Sequence, residues 1–149
     1  MRLFARLPLL SREDRWRAWP ALVYMGMNTQ AQHVVEQYYQ AFDAHRDDWR
    51  GLVTDDVVFD GPVQHARGKA EFVQLTGQFL NAHRATRLLS RMADGATVAS
   101  VFEFVIDAPN GQQLTCPVTE WATVRDGHIS EFRVYYDPRD FVRAFGIAD

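Results

Sequence analysis

The sequence has almost no cysteine, no long apolar run and no large excess of charge of one sign, and each shortage excludes a class of protein. Cys116 is the single cysteine of 149 residues, so it has no partner for an internal disulfide or a cysteine metal site. A formal net charge of −3 gives no electrostatic reason to expect nucleic acid or an anionic membrane as a partner. No apolar run approaches the ~20 residues of a membrane-spanning helix. We therefore expect a cytoplasmic protein.

The first 27 residues differ from the rest of the chain. They contain five arginines, two acids and two prolines, and Pro8 with the charges at 12–17 interrupts any apolar core that a signal peptide would need. Met27 is an alternative start of the protein. We expect residues 1–27 to be a poorly ordered extension and residues 28–149 to form one domain with a sizeable core.

Helical patterns fill most of the first half of this domain. The segment TQAQ has the spacing of a capping box, and apolar residues then recur at helical spacing, which predicts a helix over about 29–45. A short helix is predicted at 49–53 and a third helix at 69–83. Between the last two, DDVVFDGP predicts a short strand at 55–62.

The second half has the pattern of antiparallel strands. The pairs Asp94-Gly95, Asn110-Gly111 and Asp126-Gly127 are hairpin signals, and they divide 86–136 into four strands. Alternate residues share a face of a strand, and one face is predicted to carry Leu88, Ser90, Met92, Phe102, Phe104, Ile106, Phe132, Val134 and Tyr136. Arg87 and Arg91 fall on the opposite, more polar row. Three helices on one face of such a sheet predict an α+β architecture with a cavity in a bent sheet.

Glu120 interrupts an otherwise apolar row in the strand LTCPVTEWATVR. An ionised carboxylate on an apolar wall is costly, so it should be neutral or paired, and burial would raise its pKa. A neutral Glu120 would donate a hydrogen bond, and an ionised one would act as a general base. Two alternatives stay open: a bulge at Pro117 that turns Glu120 outward, or a buried hydrogen bond without chemistry.

Four segments carry a resemblance to a known family over about 29–146. They are VVEQYYQAFDAHR, TDDVVFDGP, RGKAEF and TEWATVRDGHISEFRVYYDPRDF. In their order and spacing the chain resembles the NTF2-like superfamily, specifically the SnoaL-like polyketide cyclase and ketosteroid isomerase branch. This resemblance implies a cone-shaped fold in which three N-terminal helices pack against a strongly curved, mostly antiparallel sheet.

The resemblance also implies candidate catalytic residues. The helix tyrosine that donates a hydrogen bond in the isomerases falls on Tyr38, and the strand acid that assists it falls on Glu120. In the polyketide cyclases an acid at a similar place is the catalytic base. The isomerase base directly precedes a proline, but Gly61 stands there in this chain, so Asp60 is the nearest acid. His65, in the next connection, is a second candidate base.

The predicted cavity wall consists of Phe42, Phe102, Phe104, Val118, Phe132, Val134 and Tyr136. Tyr39 is interpreted as a structural residue that points elsewhere. The function that follows is acid/base proton transfer on a small hydrophobic carbonyl compound, without cofactor or metal, as in an isomerase or a cyclase. Whether the chain is an enzyme stays open, because a non-catalytic module that binds a small apolar ligand, or a dimeric interaction protein, has the same pattern.

The outer sheet face is predicted to carry exposed apolar residues. Val101, Val105, Trp121 and Tyr135 all fall on the row opposite the cavity. An exposed apolar patch of this kind is typical of an interface. We therefore expect a homodimer through this face, with a small hydrophobic molecule as the other partner and neither nucleic acid nor membrane.

Overall fold

The computed structural model describes residues 30–147. Within these residues the chain forms three α-helices: α1 (Gln30–Asp43), α2 (Lys69–Ala82) and α3 (Arg139–Phe145). A 3₁₀ helix follows α1 at Asp47–Leu52. The six strands are β1 (Val53–Asp60), β2 (His65–Arg67), β3 (His83–Asp94), β4 (Thr97–Asp107), β5 (Gln113–Arg125) and β6 (His128–Tyr135). The predicted extension 1–27 and the predicted helix start at 29 lie outside the described residues.

The six strands form one curved, open sheet in the order β2-β1-β6-β5-β4-β3. All pairings are antiparallel except that of β1 with β6. The helices lie against the concave face, which confirms the predicted α+β, cone-shaped fold. The short strand β2 and helix α3 were not predicted, because three and seven residues are too few to show a periodic pattern.

The core lies between α1, α2 and the inner face of the sheet. Helix α1 is buried along a wide face, since both Tyr38 and Tyr39 are buried together with the apolar positions three and four residues away. The rings of Phe72 from α2 and Phe132 from β6 stack with centroids 5.2 Å apart, and Tyr38 contacts Phe132 at 5.1 Å. These aromatic contacts fix the helices on the sheet.

Strand β5 keeps an unbroken register against β4 from Gln113 to Thr123. Pro117 pairs with Glu103 and Glu120 pairs with Ser100, with no shift between them. Residues 118, 120, 122 and 124 are buried, whereas 117, 119, 121 and 125 are exposed. The alternative of a bulge at Pro117 is therefore wrong, and Glu120 faces inward.

Strand β3 does contain a bulge, which alternation alone does not reveal. Leu88 pairs with Phe102 and Ser90 pairs with Val101, so one extra residue is inserted at Leu89. Beyond the bulge the two faces exchange, and Arg91 comes opposite Ser100 on the inner face. The prediction that Ser90 and Met92 share the face of Leu88 is wrong for this reason. Strand β3 is an edge strand and mostly exposed, so its burial pattern is weak.

Within residues 30–147, every helix is too short or too polar to span a lipid bilayer.

Candidate functional site

A cavity of about 90 Å³ lies between the helices and the inner face of the sheet. Its wall is predominantly aromatic and aliphatic, which is the usual lining of a small-molecule site. The residues that line it are Tyr38, Tyr39, Phe42, Phe59, Gln64, Phe72, Leu75, Thr76, Phe79, Phe104, Ile106, Cys116, Val118, Glu120, Phe132, Val134, Tyr136 and Phe141. Both long helices, strands β1, β4, β5 and β6 and helix α3 contribute.

The structure brings most of the predicted wall residues together. Six of the seven predicted residues line the cavity: Phe42, Phe104, Val118, Phe132, Val134 and Tyr136. Phe102 does not, so that prediction is wrong. Its ring is fully buried behind the wall, with centroids 5.3 Å from Tyr39 and 4.7 Å from Phe104. Phe102 supports the cavity without touching its contents.

Glu120 is the buried acid of the cavity, with 3% of the residue exposed. Its Oε2 accepts a hydrogen bond of 2.5 Å from the Tyr39 hydroxyl. Its Oε1 is also buried, and no hydrogen-bond donor from residues 30–147 reaches it. A buried oxygen without a partner costs free energy and is rare in folded proteins. This open oxygen lies on the carboxyl group of a residue that lines the cavity.

Burial raises the pKa of Glu120 to about 7. Two effects oppose burial and keep the pKa from rising further: the hydrogen bond from Tyr39 and the positive charge of Arg91. Near neutral pH the carboxyl is thus present in both its acid and its base form. A group with such a pKa is suited to take up and return a proton.

Tyr39, for which the sequence predicts only a structural role, is the tyrosine that donates a hydrogen bond to Glu120. Tyr38 also lines the cavity, but its hydroxyl is hydrogen-bonded to the Thr76 side chain. Burial, and next the charge of Glu120, hold the pKa of both tyrosines well above the ordinary value, so both remain neutral donors. The placement of Tyr39 was wrong because two neighbouring positions of a widely buried helix both face the sheet.

Asp60 and His65 do not line the cavity. The side chains pair with each other on the protein surface, with His65 Nδ1 3.1 Å from Asp60 Oδ1, and Arg67 Nη2 donates to the same oxygen at 2.9 Å. These hydrogen bonds, that of His65 first, lower the pKa of Asp60 below its usual range. The geometry therefore does not support either residue as the base of a reaction in this cavity.

Gly61, and not its neighbour Asp60, is the residue that faces the cavity at the end of β1. A Cβ atom there would lie 3.0 Å from Val134 Cγ2 and 3.3 Å from Phe59 Cε1, both on side chains that line the cavity. Position 61 thus faces the cavity, while Asp60 is on the other side of strand β1. The position directly before Pro62, where the resemblance implies a base, therefore carries no side chain.

The wall also carries the polar groups of Tyr136, which was predicted from the strand pattern, and of Gln64, which was not. Gln64 lies in the loop between β1 and β2, and no sequence signal distinguishes it from a solvated loop residue. Tyr136 follows β6, and burial raises the pKa of its hydroxyl to about 12, so it is a neutral hydrogen-bond donor. Gln64 and Tyr136 thus provide donors in a wall that is otherwise mainly apolar.

Metal ligands are not grouped in the part of the chain that the structure describes, since no three His, Cys, Asp or Glu side chains there are close enough to hold an ion.

Comparison with known proteins agrees with this architecture. Residues 35–132 match the family model of the SnoaL-like domain. None of the proteins with a curated description matches the chain by sequence.

Solved structures with the same fold carry several different names. A proposed polyketide cyclase from Xanthomonas campestris pv. campestris is 24% identical, with a TM-score of 0.64 over 78% of this chain and 96% of that one. An LEH-like epoxide hydrolase of M. tuberculosis is 21% identical, with a TM-score of 0.66 over 78% and 89%. A proposed ketosteroid isomerase from Kribbella flavida DSM 17836 is 15% identical, with a TM-score of 0.62 over 72% and 78%. Likenesses at these identities show the fold alone.

Proposed function

The chain belongs to the SnoaL-like domain family, and from this premise we propose that it is an acid/base enzyme acting on a small hydrophobic carbonyl compound. The reaction is proton abstraction from the carbon next to the carbonyl, as in an isomerisation or an aldol-type cyclisation. The observation that carries the proposal is the buried Glu120 carboxyl, which has one oxygen open and a pKa of about 7. No cofactor is needed for such a step.

Glu120 itself transfers the proton in this proposal, because Asp60 and His65 lie outside the cavity wall. The ionised carboxylate removes a proton from the substrate carbon through its open Oε1, which leaves an enolate and a neutral Glu120. The C–H electron pair becomes the new double bond of the enolate. The proton then returns from Glu120 to another carbon, or to the oxygen after a new carbon–carbon bond has formed, and the carboxylate is regenerated.

The remaining donors of the wall stabilise the enolate oxygen. Gln64 and Tyr136 both line the cavity, whereas the Tyr39 hydroxyl is occupied by Glu120. In a site of low polarity such donors stabilise developing negative charge more strongly than water does. The Tyr38 hydroxyl, bonded to Thr76, is a further candidate if the substrate replaces that partner.

The size of the cavity limits the substrate class. Its volume of about 90 Å³ is well below the roughly 300–1,000 Å³ of sites for drug-sized ligands. We therefore expect a compact ketone or aldehyde of few heavy atoms, or a larger compound only if side chains such as Phe141 move. An acid/base reaction in an apolar wall also favours an uncharged substrate, because among residues 30–147 Glu120 is the one charged side chain that lines the cavity.

Hydrogen–deuterium exchange tests the reaction class without knowledge of the product. The protein is incubated in D₂O with a panel of small hydrophobic ketones, and proton NMR follows the signal of the hydrogens next to the carbonyl. We expect loss of that signal for at least one compact member of the panel, faster than in buffer. Exchange at the buffer rate for every ketone that binds would contradict the proposal.

A ligand-binding module without turnover is the second candidate function. It is favoured by the position of Gly61, since the site lacks the second carboxylate that the isomerases use. In that case the cavity binds a small apolar molecule and Glu120 only donates a hydrogen bond to it. Binding seen by NMR or by mass spectrometry of a co-purified ligand, without exchange, is the result that distinguishes this candidate.

We further propose that a second copy of this chain covers the outer sheet face. Trp121 and Tyr135 are 50% and 60% exposed on two adjacent strands, and Val101 is exposed on the next. The same face carries oppositely charged pairs, Arg87 with Glu103 and Arg133 with Glu131. A face with both signs of charge does not repel a second copy, and a two-fold dimer needs a surface that is complementary to itself.

Replacing Trp121 by Glu is expected to turn the dimer into a monomer. The substitution places a charge in the centre of the apolar patch, where the dimer would have to bury it. Light scattering after size-exclusion chromatography measures the mass directly. Leu88→Glu is the matched control, because Leu88 is 50% exposed but lies on the edge strand β3 with its side chain on the inner face. A monomeric wild-type protein at high concentration would rule out the interface.

A further inference from the structure

Arg91 lies at the inner face of the sheet next to the Glu120–Tyr39 pair. Its Nε donates a hydrogen bond of 2.9 Å to the Ser100 hydroxyl, and Ser100 pairs with Glu120 across β4 and β5. The Arg91 guanidinium carbon lies 5.4 Å from the centre of the Tyr39 ring, in the geometry of a cation–π contact. One guanidinium thus touches both neighbours of the Glu120 carboxyl.

The bulge at Leu89 is what places Arg91 there. In a strand that alternated regularly from Leu88 onward, Arg91 would stand on the outer face of β3, where Arg87 pairs with Glu103. A bulge disrupts the ladder locally and reorients the following side chain, and bulges are frequent beside functional sites. The arginine therefore reaches the cavity side through a specific deviation from regular strand geometry.

In the part of the chain that the structure describes, few charged or titratable groups act on the Glu120 carboxyl. Helix α1 contributes Tyr38 and Tyr39, and strand β3 contributes Arg91. The nearest groups from β4, β6 and α2 are uncharged: Ser100 pairs with Glu120 from one side, Val134 pairs with it from the other, and Thr76 bonds Tyr38. The charge of Arg91 also acts on Asp43 at the end of α1, where it opposes the rise in pKa that burial causes. Arg91 is accordingly the cation whose charge acts on both acids.

We propose that Arg91 is a positioning residue for the reaction of Glu120: it holds the Tyr39 ring and keeps Oε1 as the oxygen that remains open to a ligand. This inference rests on the proposed function. The guanidinium is planar, so it lies over the Tyr39 ring while its Nε is fixed by Ser100. With the ring held, the Tyr39 hydroxyl stays on Oε2 and the open oxygen is defined.

The charge of Arg91 has a second effect on the same carboxyl. A nearby positive charge favours the ionised form of an acid and so lowers its pKa. Arg91 thereby opposes the effect of burial and, together with the larger effect of the Tyr39 hydrogen bond, keeps the pKa of Glu120 at about 7. Loss of the guanidinium is expected both to loosen the Tyr39 ring and to raise the pKa of Glu120.

Arg91→Gln tests the inference, with Arg87→Gln as the matched control on the outer face of the same strand. Carbon-13 NMR of labelled glutamate follows the Glu120 carboxyl through a pH titration, and Glu120→Gln identifies its signal. We expect the titration midpoint of Glu120 in Arg91→Gln to lie above the value of about 7 expected for the wild type. The pH–rate profile of ketone exchange should move in the same direction, and Arg87→Gln should change neither.

Arg91→Lys keeps the inference testable if Arg91→Gln does not fold. Lysine retains the charge but offers neither a planar group over the Tyr39 ring nor the Nε hydrogen bond to Ser100. The Glu120 titration midpoint of Arg91→Lys should therefore lie between those of the wild type and Arg91→Gln. The positioning role is overturned if the wild type exchanges ketone hydrogens and the Glu120 titration midpoint is the same in the wild type and in the folded Arg91 variants. If the wild type shows no ketone exchange but the Glu120 titration midpoint shifts in the Arg91 variants, the proposed function is overturned. The effect of Arg91 on the carboxyl then still stands.

Discussion

Glu120→Gln is expected to slow ketone exchange by roughly 10²–10⁴-fold, the usual contribution of a general acid–base group. The amide has nearly the shape of the carboxyl, and its oxygen still accepts the hydrogen bond from Tyr39. It cannot take up a proton at neutral pH, so the reaction loses its base while the cavity keeps its form. Exchange rates of the wild type and the variant, measured by NMR with one ketone, give the ratio directly.

Glu103→Gln is the matched control for this loss. Glu103 is a glutamate on the adjacent strand, and it faces outward, where it pairs with Arg87. The same chemical change there should leave the exchange rate within a factor of two or so, since surface charge pairs have little influence on a buried group. If Glu120→Gln retains the wild-type rate, Glu120 is not the proton-transferring group.

The stability of the wild type relative to Glu120→Gln is expected to fall as pH rises from 4.5 to about 7. The difference between the two proteins is the relevant quantity, because burial lowers the pKa of His83 to about 4 and this raises the stability of both over the same range. In that range the folded protein keeps the Glu120 proton, whereas the unfolded chain, with a pKa of 4.5, has released it. Stability decreases with pH wherever the native state binds more protons than the unfolded state. The contribution of Glu120 is thus fully favourable below pH 4.5 and is lost progressively up to its folded pKa.

The expected size of this effect is about 3 kcal/mol between pH 4.5 and pH 7, because each unit of pKa difference corresponds to ~1.4 kcal/mol. Urea denaturation at a series of pH values gives the free energy of unfolding for both proteins, and the difference between them isolates Glu120 from the other titrating groups. A difference that does not change with pH would show that the buried carboxyl titrates as it does in the unfolded chain.

The two expectations have one physical origin. Burial without a partner for Oε1 destabilises the ionised carboxyl, and the same burial brings its pKa into the range where proton transfer is efficient. A Gln at this position should therefore give a protein that is more stable above pH 7 and much less active. Such an exchange of stability for activity is frequent at functional sites.

Local pattern put Glu120 and most of the predicted cavity wall on one face of the strands, and the unbroken register at Pro117 then excluded the alternative that Glu120 points outward. Alternation in β5 is a property of consecutive residues, and the burial of every second residue from Val118 to Val124 follows it. The turn residues at three hairpins likewise fixed the strand order of the second half, which the observed sheet confirms. The helices α1 and α2 were recognisable from apolar spacing alone.

In strand β1 the local sequence pattern does not identify the face that points into the cavity. Five residues with apolar side chains in both rows do not indicate which row faces inward, so Asp60 was a candidate base from sequence. Pairing of β1 with both β2 and β6 decides the question: it brings Phe59 to the cavity and Asp60 to the surface beside His65 and Arg67. The inward position that remains belongs to Gly61.

The sequence by itself predicted the alternating faces of β5 with Glu120 in the apolar row, because alternation depends on periodicity within a single element. The fold family followed from the resemblance of four segments to a known family. Only the tertiary structure decided that Tyr39 and not Tyr38 bonds Glu120, and that Arg91 reaches the pair. The first depends on how α1 is rotated against the sheet, and the second on a one-residue bulge in an exposed edge strand. Both are set by packing between residues far apart in the chain, which no local spacing records.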